Sequence, residues 1–167
     1  MAELDKVRAA LTRLVKRSPA GLAIGLHLEY IAPRHLFRTY PRCWDETYSA
    51  RGLVLHDPTV IWGQSEVGII AWSELHGRDD AGVFAQAARF GMAFGITISI
   101  DCGGSRSLGS FARPDREFSE REVTALEDDF TSLHRLTNLT YWADTATLAK
   151  LKDLSVDLVD QHHRAHV

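Results

Sequence analysis

A chain of 167 residues with 45% apolar and 9% aromatic side chains fits one globular domain around a single core. Its formal charge of −3, from 19 Lys and Arg against 22 Asp and Glu, lacks the basic footprint that a phosphate backbone demands, which argues against autonomous nucleic-acid binding. Cys43 and Cys102 stand in unrelated contexts with no CxxC or His spacing, so no zinc site or disulfide framework is expected, and reduced thiols point to a cytoplasmic protein.

In chain order, "MAELDKVRAALTRLVKRSPAG" has no long apolar run of the kind a signal peptide carries, and no window nears a membrane span. Leu4, Val7, Leu11 and Leu14 or Val15 recur at helical spacing between Asp5 and Lys16, predicting an amphipathic helix that "SPAG" ends. "GLAIGLHLEYI" alternates as a strand. A second helix is expected from Tyr40 to Ala50, with Gly52 in the place of a C-terminal cap. "GIIAW" is short and β-rich, and "VFAQAARFGMAFG" predicts a helix that Gly91 and Gly95 end early. "ITISID" and "SLGSFAR" flank "CGGS", a hairpin turn that makes them antiparallel neighbours. Ser119 and Glu122 form a capping box ahead of a helix whose Val123, Leu126, Phe130, Leu133 and Leu136 share one stripe. A last helix, from Thr145 to Gln161, carries Leu148, Leu151, Leu154 or Ser155, and Leu158. This order predicts an α+β fold, an α/β/α sandwich around a central, largely antiparallel sheet.

Tyr40, Trp44 and Tyr48 follow one another at i, i+4 and i+8, so on a helix they stack along one face. Such a stripe is more often ordinary core packing than a binding wall. Its two hydroxyls and one indole N–H nevertheless need partners when buried. Downstream, Asp57 adds an ionised acceptor that Pro58 biases toward an extended conformation, at the start of a strand or turn. Asp-Pro is also an ordinary solvated turn. Read together, the donors and the acceptor suit a pocket for an amphipathic amide with a carbonyl-rich head and an apolar tail.

Tyr-x3-Trp-x3-Tyr-x8-Asp-Pro, followed by Trp72 and later by "FGMAFGITISI", resembles the autoinducer-binding domain of LuxR-type quorum-sensing regulators, with a match from about Leu4 to Leu136. The resemblance implies an α/β/α sandwich related in shape to GAF and PAS domains, enclosing an N-acyl-homoserine lactone. It implies that Trp44 donates to the lactone carbonyl, that Asp57 accepts from the ligand amide, and that Tyr40 hydrogen-bonds the acyl carbonyl. Tyr48 and Trp72 would wall the pocket, and Ser110 matches a position that reaches the acyl carbonyl. Val83, Phe84, Ala87 and Phe90 fall on a helix that lines the pocket in that family; simple core packing is the other reading, and Phe84 is taken as a contact. On this view a buried Asp57 depends on the ligand amide for its donor, so ligand stabilises the fold.

No cofactor or metal is expected, since His27 and His56 have no metal partners at useful spacing and the eight His read as solvated or capping groups. Trp62 reads as packing or a lid. Residues 1–136 are taken as the autoinducer-binding domain and 137–167 as a helical extension. The Leu139-Thr140 pair lacks the Arg-Glu that opens the DNA-binding domain of such regulators, so DNA binding is not carried over. The expected partners are the small-molecule autoinducer and, through the stripe from Val123 to Leu136, a second copy or a full-length regulator. The chain is either an excised sensor or a natural short form. The competing functions are a ligand-free dimerisation module that antagonises such a regulator, and a lactone-processing enzyme using Asp57 with His56 or Cys102; the latter lacks any recognisable nucleophile elbow or triad.

Overall fold

The structure is a computed structural model that describes residues 2–138 and 145–164. The hairpin at its centre follows from two glycines. Gly103 and Gly104 both adopt positive φ, 63° and 72°, the geometry of a two-residue turn that matches strand twist. They join β4 (Phe94–Cys102) to β5 (Ser105–Arg113), with Cys102 opposite Ser105. β1 (Gly21–Glu29) pairs with β5, β2 (Ala32–Arg38) with β1, and β3 (Gly68–Ala71) with β4. The five-stranded sheet runs β2-β1-β5-β4-β3 and every neighbouring pair is antiparallel.

β2 is absent from the expectation drawn from sequence, which ran one strand through Ile31. The chain reverses at Tyr30, whose φ of 60° is a left-handed conformation normally signalled by Gly or Asn. Pro33 is tolerated because β2 is an edge strand.

Alternation along the strands gives the sheet two unlike faces. Leu22, Ile24, Leu26, Ile98 and Phe111 turn one way and are fully or almost fully buried. Against them pack α1 (Ala2–Arg17) through Val7, Leu11 and Leu14, and α5 (Glu120–Thr137) through Leu126, Phe130 and Leu133. α6 (Thr145–Arg164) adds Leu151, Leu154 and Leu158 to the same core. The side chains of Leu148 and Ser155, expected on that stripe, lie outside the described residues, as do Leu139 and Thr140. The capping box at the start of α5 forms as expected: Ser119 Oγ accepts from Glu122 N, and Glu122 Oε2 accepts from Ser119 N. Arg13 and Arg17 of α1 both reach the Asp129 carboxylate of α5, at 2.7 and 3.2 Å. The stripe from Val123 to Leu136 is therefore occupied within the chain. Its three central residues are wholly buried, which removes it as a docking face for a second copy or a regulator.

His27 and its neighbours also correct the expectation of solvated histidines. His27 is bulky yet has φ 54°, and this kink interrupts the alternation of β1, so that Leu26 and His27 are both buried. Its Nε2 meets Thr137 Oγ1 at 2.8 Å, and that hydroxyl donates onward to the Leu133 carbonyl, so Nε2 carries the proton. Nδ1 accepts from Ser105 Oγ at 2.8 Å. His134 lies 4.8 Å away, ring to ring, with Nδ1 on Ser107 Oγ and Nε2 on the Cys102 carbonyl. With His35 edge-on to His27 at 6.5 Å, three buried imidazoles cluster here, and the bonds of His27 and His134 fasten the end of α5 to the sheet. Burial, with the neighbouring imidazoles, lowers His27 to about 4, and burial lowers His35 and His134 as well.

Candidate functional site

The opposite face of the sheet presents Ala23, Gly25, Thr97, Ser99, Ser110 and Ala112, and small side chains there leave room. A cavity of about 350 Å³ fills that room, roofed by α2 (Arg42–Ala50), α3 (Pro58–Ser65) and α4 (Val83–Ala88). Two short 3₁₀ segments, Leu53–Leu55 and Trp72–Arg78, complete the layer.

The aromatic wall is held in place by specific devices. Trp72 lies flat over Gly95, where any Cβ would fall inside its ring. Its indole N–H donates to Thr97 Oγ1 at 3.1 Å, and Thr97 shares a 2.8 Å hydrogen bond with Ser110. Phe84 stacks on Trp72 at 5.5 Å, and the Asp79 carboxylate caps α4 by accepting from Val83 N and Phe84 N. α3 is pressed against β5 at Gly63, and Arg106 pins its end by donating to the Gly63 carbonyl at 2.9 Å.

The polar end is built around Asp57. The residue is extended, as Pro58 requires, but it opens a helix rather than a strand or turn: it is the N-cap of α3, with Pro58 at the first helical position. Oδ1 accepts from Thr59 N at 2.9 Å and from Thr59 Oγ1 at 2.8 Å, and Oδ2 accepts from Tyr48 OH at 2.8 Å. The carboxylate therefore does not depend on a ligand for its donors, contrary to expectation. A carboxylate accepts about four hydrogen bonds, so one site on Oδ2 is unspent among the described residues. Burial pushes the Asp57 carboxyl upward, and the bonds from Tyr48 and Thr59 pull it back. Burial beside this carboxylate also holds the Tyr40 and Tyr48 phenols above their usual range, so both keep a proton to donate.

Tyr40 precedes the helix it was expected to open. Pro41 is the N-cap of α2, and a residue before proline is excluded from the helical region. Its ring nevertheless reaches the cavity, with OH 3.4 Å from the Ser110 carbonyl. Trp44 packs on Tyr48 and Phe90, each at 5.6 Å between ring centres. Its indole N–H has no acceptor among the described residues, and Trp44 lines the cavity.

Tyr40, Trp44, Tyr48, Asp57, Trp72, Phe84 and Ser110 all line this cavity, as do Val83 and Ala87. Phe90 and Trp62 do not; Phe90 supports Trp44 from behind. The sequence reading missed the contribution of β2, which brings Pro33, Leu36 and Arg38 to the wall, and that of Leu28, Val54 and Thr59. Ala23 and Gly25 were legible as the small positions alternating with Leu22, Ile24 and Leu26. At the rim Arg38 and Asp45 approach to 3.8 Å. Among the described residues no group of His, Cys, Asp and Glu could hold a metal ion, and no helix is long and apolar enough to cross a membrane.

The model of the family described as "Autoinducer binding domain" matches residues 23–141, which include the cavity floor and the whole polar end. The chain belongs to this family. It is thereby a relative of the sensor domains of LuxR-type transcriptional regulators, which bind acyl-homoserine lactones. The transcriptional activator protein SolR of Ralstonia nicotianae is 36% identical over 64 residues, 38% of this chain and 27% of SolR, so the match spans about a quarter of that relative. The autoinducer binding domain also superposes on solved structures. CepR2 from Burkholderia cenocepacia, an N-acylhomoserine lactone dependent LuxR family transcription factor, gives a TM-score of 0.55 at 19% identity, over 81% of this chain and 93% of that one. SdiA in complex with octanoyl-rac-glycerol gives 0.57 at 17% identity, over 96% of this chain and 79% of that one. At these identities the structural likeness establishes the fold.

Proposed function

We propose that the chain is a quorum-sensing sensor that binds an N-acyl-homoserine lactone in the cavity between the sheet and α2–α4. The observation that supports this most is that Trp44, whose indole N–H has no acceptor among the described residues, and Asp57, whose carboxylate has one acceptor site unspent, line the same cavity. Trp44 Nε1–H donates to the lactone carbonyl, Asp57 Oδ2 accepts from the ligand amide N–H, and Tyr40 OH donates to the acyl carbonyl, with Ser110 beside it. Tyr48 fixes the Asp57 carboxylate, while Trp72 and Phe84 wall the lactone ring. A volume of about 350 Å³ falls within the usual range for small-molecule sites. SdiA, with the same fold, forms a complex with octanoyl-rac-glycerol.

Binding rather than turnover is the reading the site favours. His56 and Cys102, the side chains considered with Asp57 for hydrolysis, do not line the cavity. Regulation through a second copy or a full-length regulator requires a surface other than the α5 stripe, which is spent in the core. Thermal unfolding with added N-acyl-homoserine lactones tests the proposal: Tm rises saturably and the lactone is recovered intact. Ring opening by the protein, or no rise with any lactone, would reject it.

A further inference from the structure

The cavity has two unlike ends, and the register of the sheet sets the distance between them. Ala23 lies level with Ser110 on β5 and with Arg38 on β2, next to the polar end. Gly25 lies level with Leu108 and Leu36, and Leu28 with Pro33. Because Ala23, Gly25 and Leu28 all line the cavity, its floor follows β1 for at most about 17 Å at about 3.4 Å per extended residue, and for less where the left-handed His27 shortens the strand. The kink at His27 keeps this floor continuous, since it restores Leu28 to the cavity face. The far end opens among apolar side chains exposed to solvent: Ile31 at 68%, Val54 at 47% and Leu36 at 46%.

Resting on the lactone-sensor reading, we propose that this site selects long acyl chains. The tail runs along β1 over Gly25 and its end emerges between the β1–β2 turn and the Leu53–Leu55 segment. An extended chain advances about 3.4 Å over three backbone bonds, roughly 1.1 Å per bond, so a tail that begins at the level of Ser110 reaches the mouth at about twelve to fifteen carbons, the upper figure for the full floor and the lower for a floor shortened at His27. An open mouth does not penalise longer chains; their last carbons lie over Ile31, Leu36 and Val54. Gly25 is the residue that keeps the track clear. Its φ is unexceptional, so the need is for space: an added Cβ would lie 3.1 Å from Pro33 Cβ and 3.5 Å from Leu28 Cδ2, directly in the tail's path.

The test is a binding titration of the full chain with saturated N-acyl-homoserine lactones from four to sixteen carbons, for the wild type, Gly25→Val and Val54→Trp. In the wild type affinity rises about tenfold for each two carbons and levels off between about twelve and fifteen carbons. Gly25→Val leaves the shortest chains within a few-fold of wild type and lowers the affinity of the twelve-carbon chain about a hundredfold. Val54→Trp alters a half-exposed rim position and needs no change in the core; it weakens chains of twelve and more carbons selectively. A wild-type optimum at four to eight carbons with loss beyond it, or equal loss at every length in both variants, overturns the inference while leaving the lactone sensor standing. Absence of binding at every length rejects the sensor reading, and the inference with it.

Discussion

Acid should unfasten α5 from the sheet, and His27 is where the effect is largest. The imidazole is neutral in the fold, with Nε2–H given to Thr137 and Nδ1 taken up by Ser105, and its folded pKa lies at about 4 against 6.5 for the free side chain. A depressed pKa means that the unfolded chain takes up the proton first. The contribution is thus fully present above pH 6.5 and is lost as pH falls toward 4. The displacement corresponds to roughly 3 kcal/mol, a large share of the 5–15 kcal/mol that holds a typical domain. The facing charges mostly add to it: Arg34 and Arg135 oppose protonation, while Asp101 favours it at His134 alone. Asp57 works in the opposite direction, because its raised pKa makes acid less costly. Urea unfolding of wild type and His27→Asn across pH 8 to 4.5 separates the two. Asn tolerates the positive φ and loses the ring hydrogen bonds, so the variant should be about 1–2 kcal/mol less stable at pH 7.5. It should then lose less stability on acidification. Parallel pH dependences in the two proteins would refute the assignment of the acid sensitivity to His27.

Two further substitutions probe the cavity. Asp57→Ala strips the acceptor from Tyr48 OH and both Thr59 donors and removes the cap of α3; it should cost about 2–3 kcal/mol in urea unfolding and abolish lactone-induced stabilisation. Asp57→Asn keeps an acceptor for the helix end, so it should fold nearly as well as wild type and still lose ligand stabilisation, read as a Tm that no longer responds to lactone. Gly95→Ala drives a methyl group into the Trp72 ring, which is already tied to Thr97. A loss of about 1–3 kcal/mol and an altered near-ultraviolet spectrum are expected, whereas a silent substitution would show that Trp72 is not fixed over the strand.

The parts of the fold legible in the sequence are those with a local physical signal. The Gly103-Gly104 turn, the Ser119–Glu122 box and the leucine stripes of α1 and α5 each declare their geometry within a few residues. The parts that were missed lack such a signal or contradict it. β2 follows a turn at Tyr30, where no Gly or Asn marks the left-handed residue. α3 has a helix start in Asp57-Pro58, but "PTVIWGQS" has no clear polar face, since the apolar Ile61 stands on its exposed side. The histidine cluster joins β1, β2 and α5, so no local window contains it. The site was easier to find than its geometry: Tyr40 was assigned to a helix it does not belong to, yet the turn at Pro41 delivers its ring to the same cavity as Trp44 and Tyr48.

Alternation in β1, β4 and β5 explains why one sheet can hold the fold together and still contain a hole. Leu22, Ile24 and Leu26 fill the face under α1 and α5, and deleting volume there would leave a void in a core whose members are almost wholly buried. Their neighbours Ala23 and Gly25, one residue along, keep volume out of the opposite face. The aromatic roof over that face cannot collapse into the gap, because Trp72 is tied to Thr97, Tyr48 to Asp57 and α3 to Arg106. The cavity thus persists through polar ties at its edges, while the stability to sustain it comes from the apolar layer on the other side of the sheet.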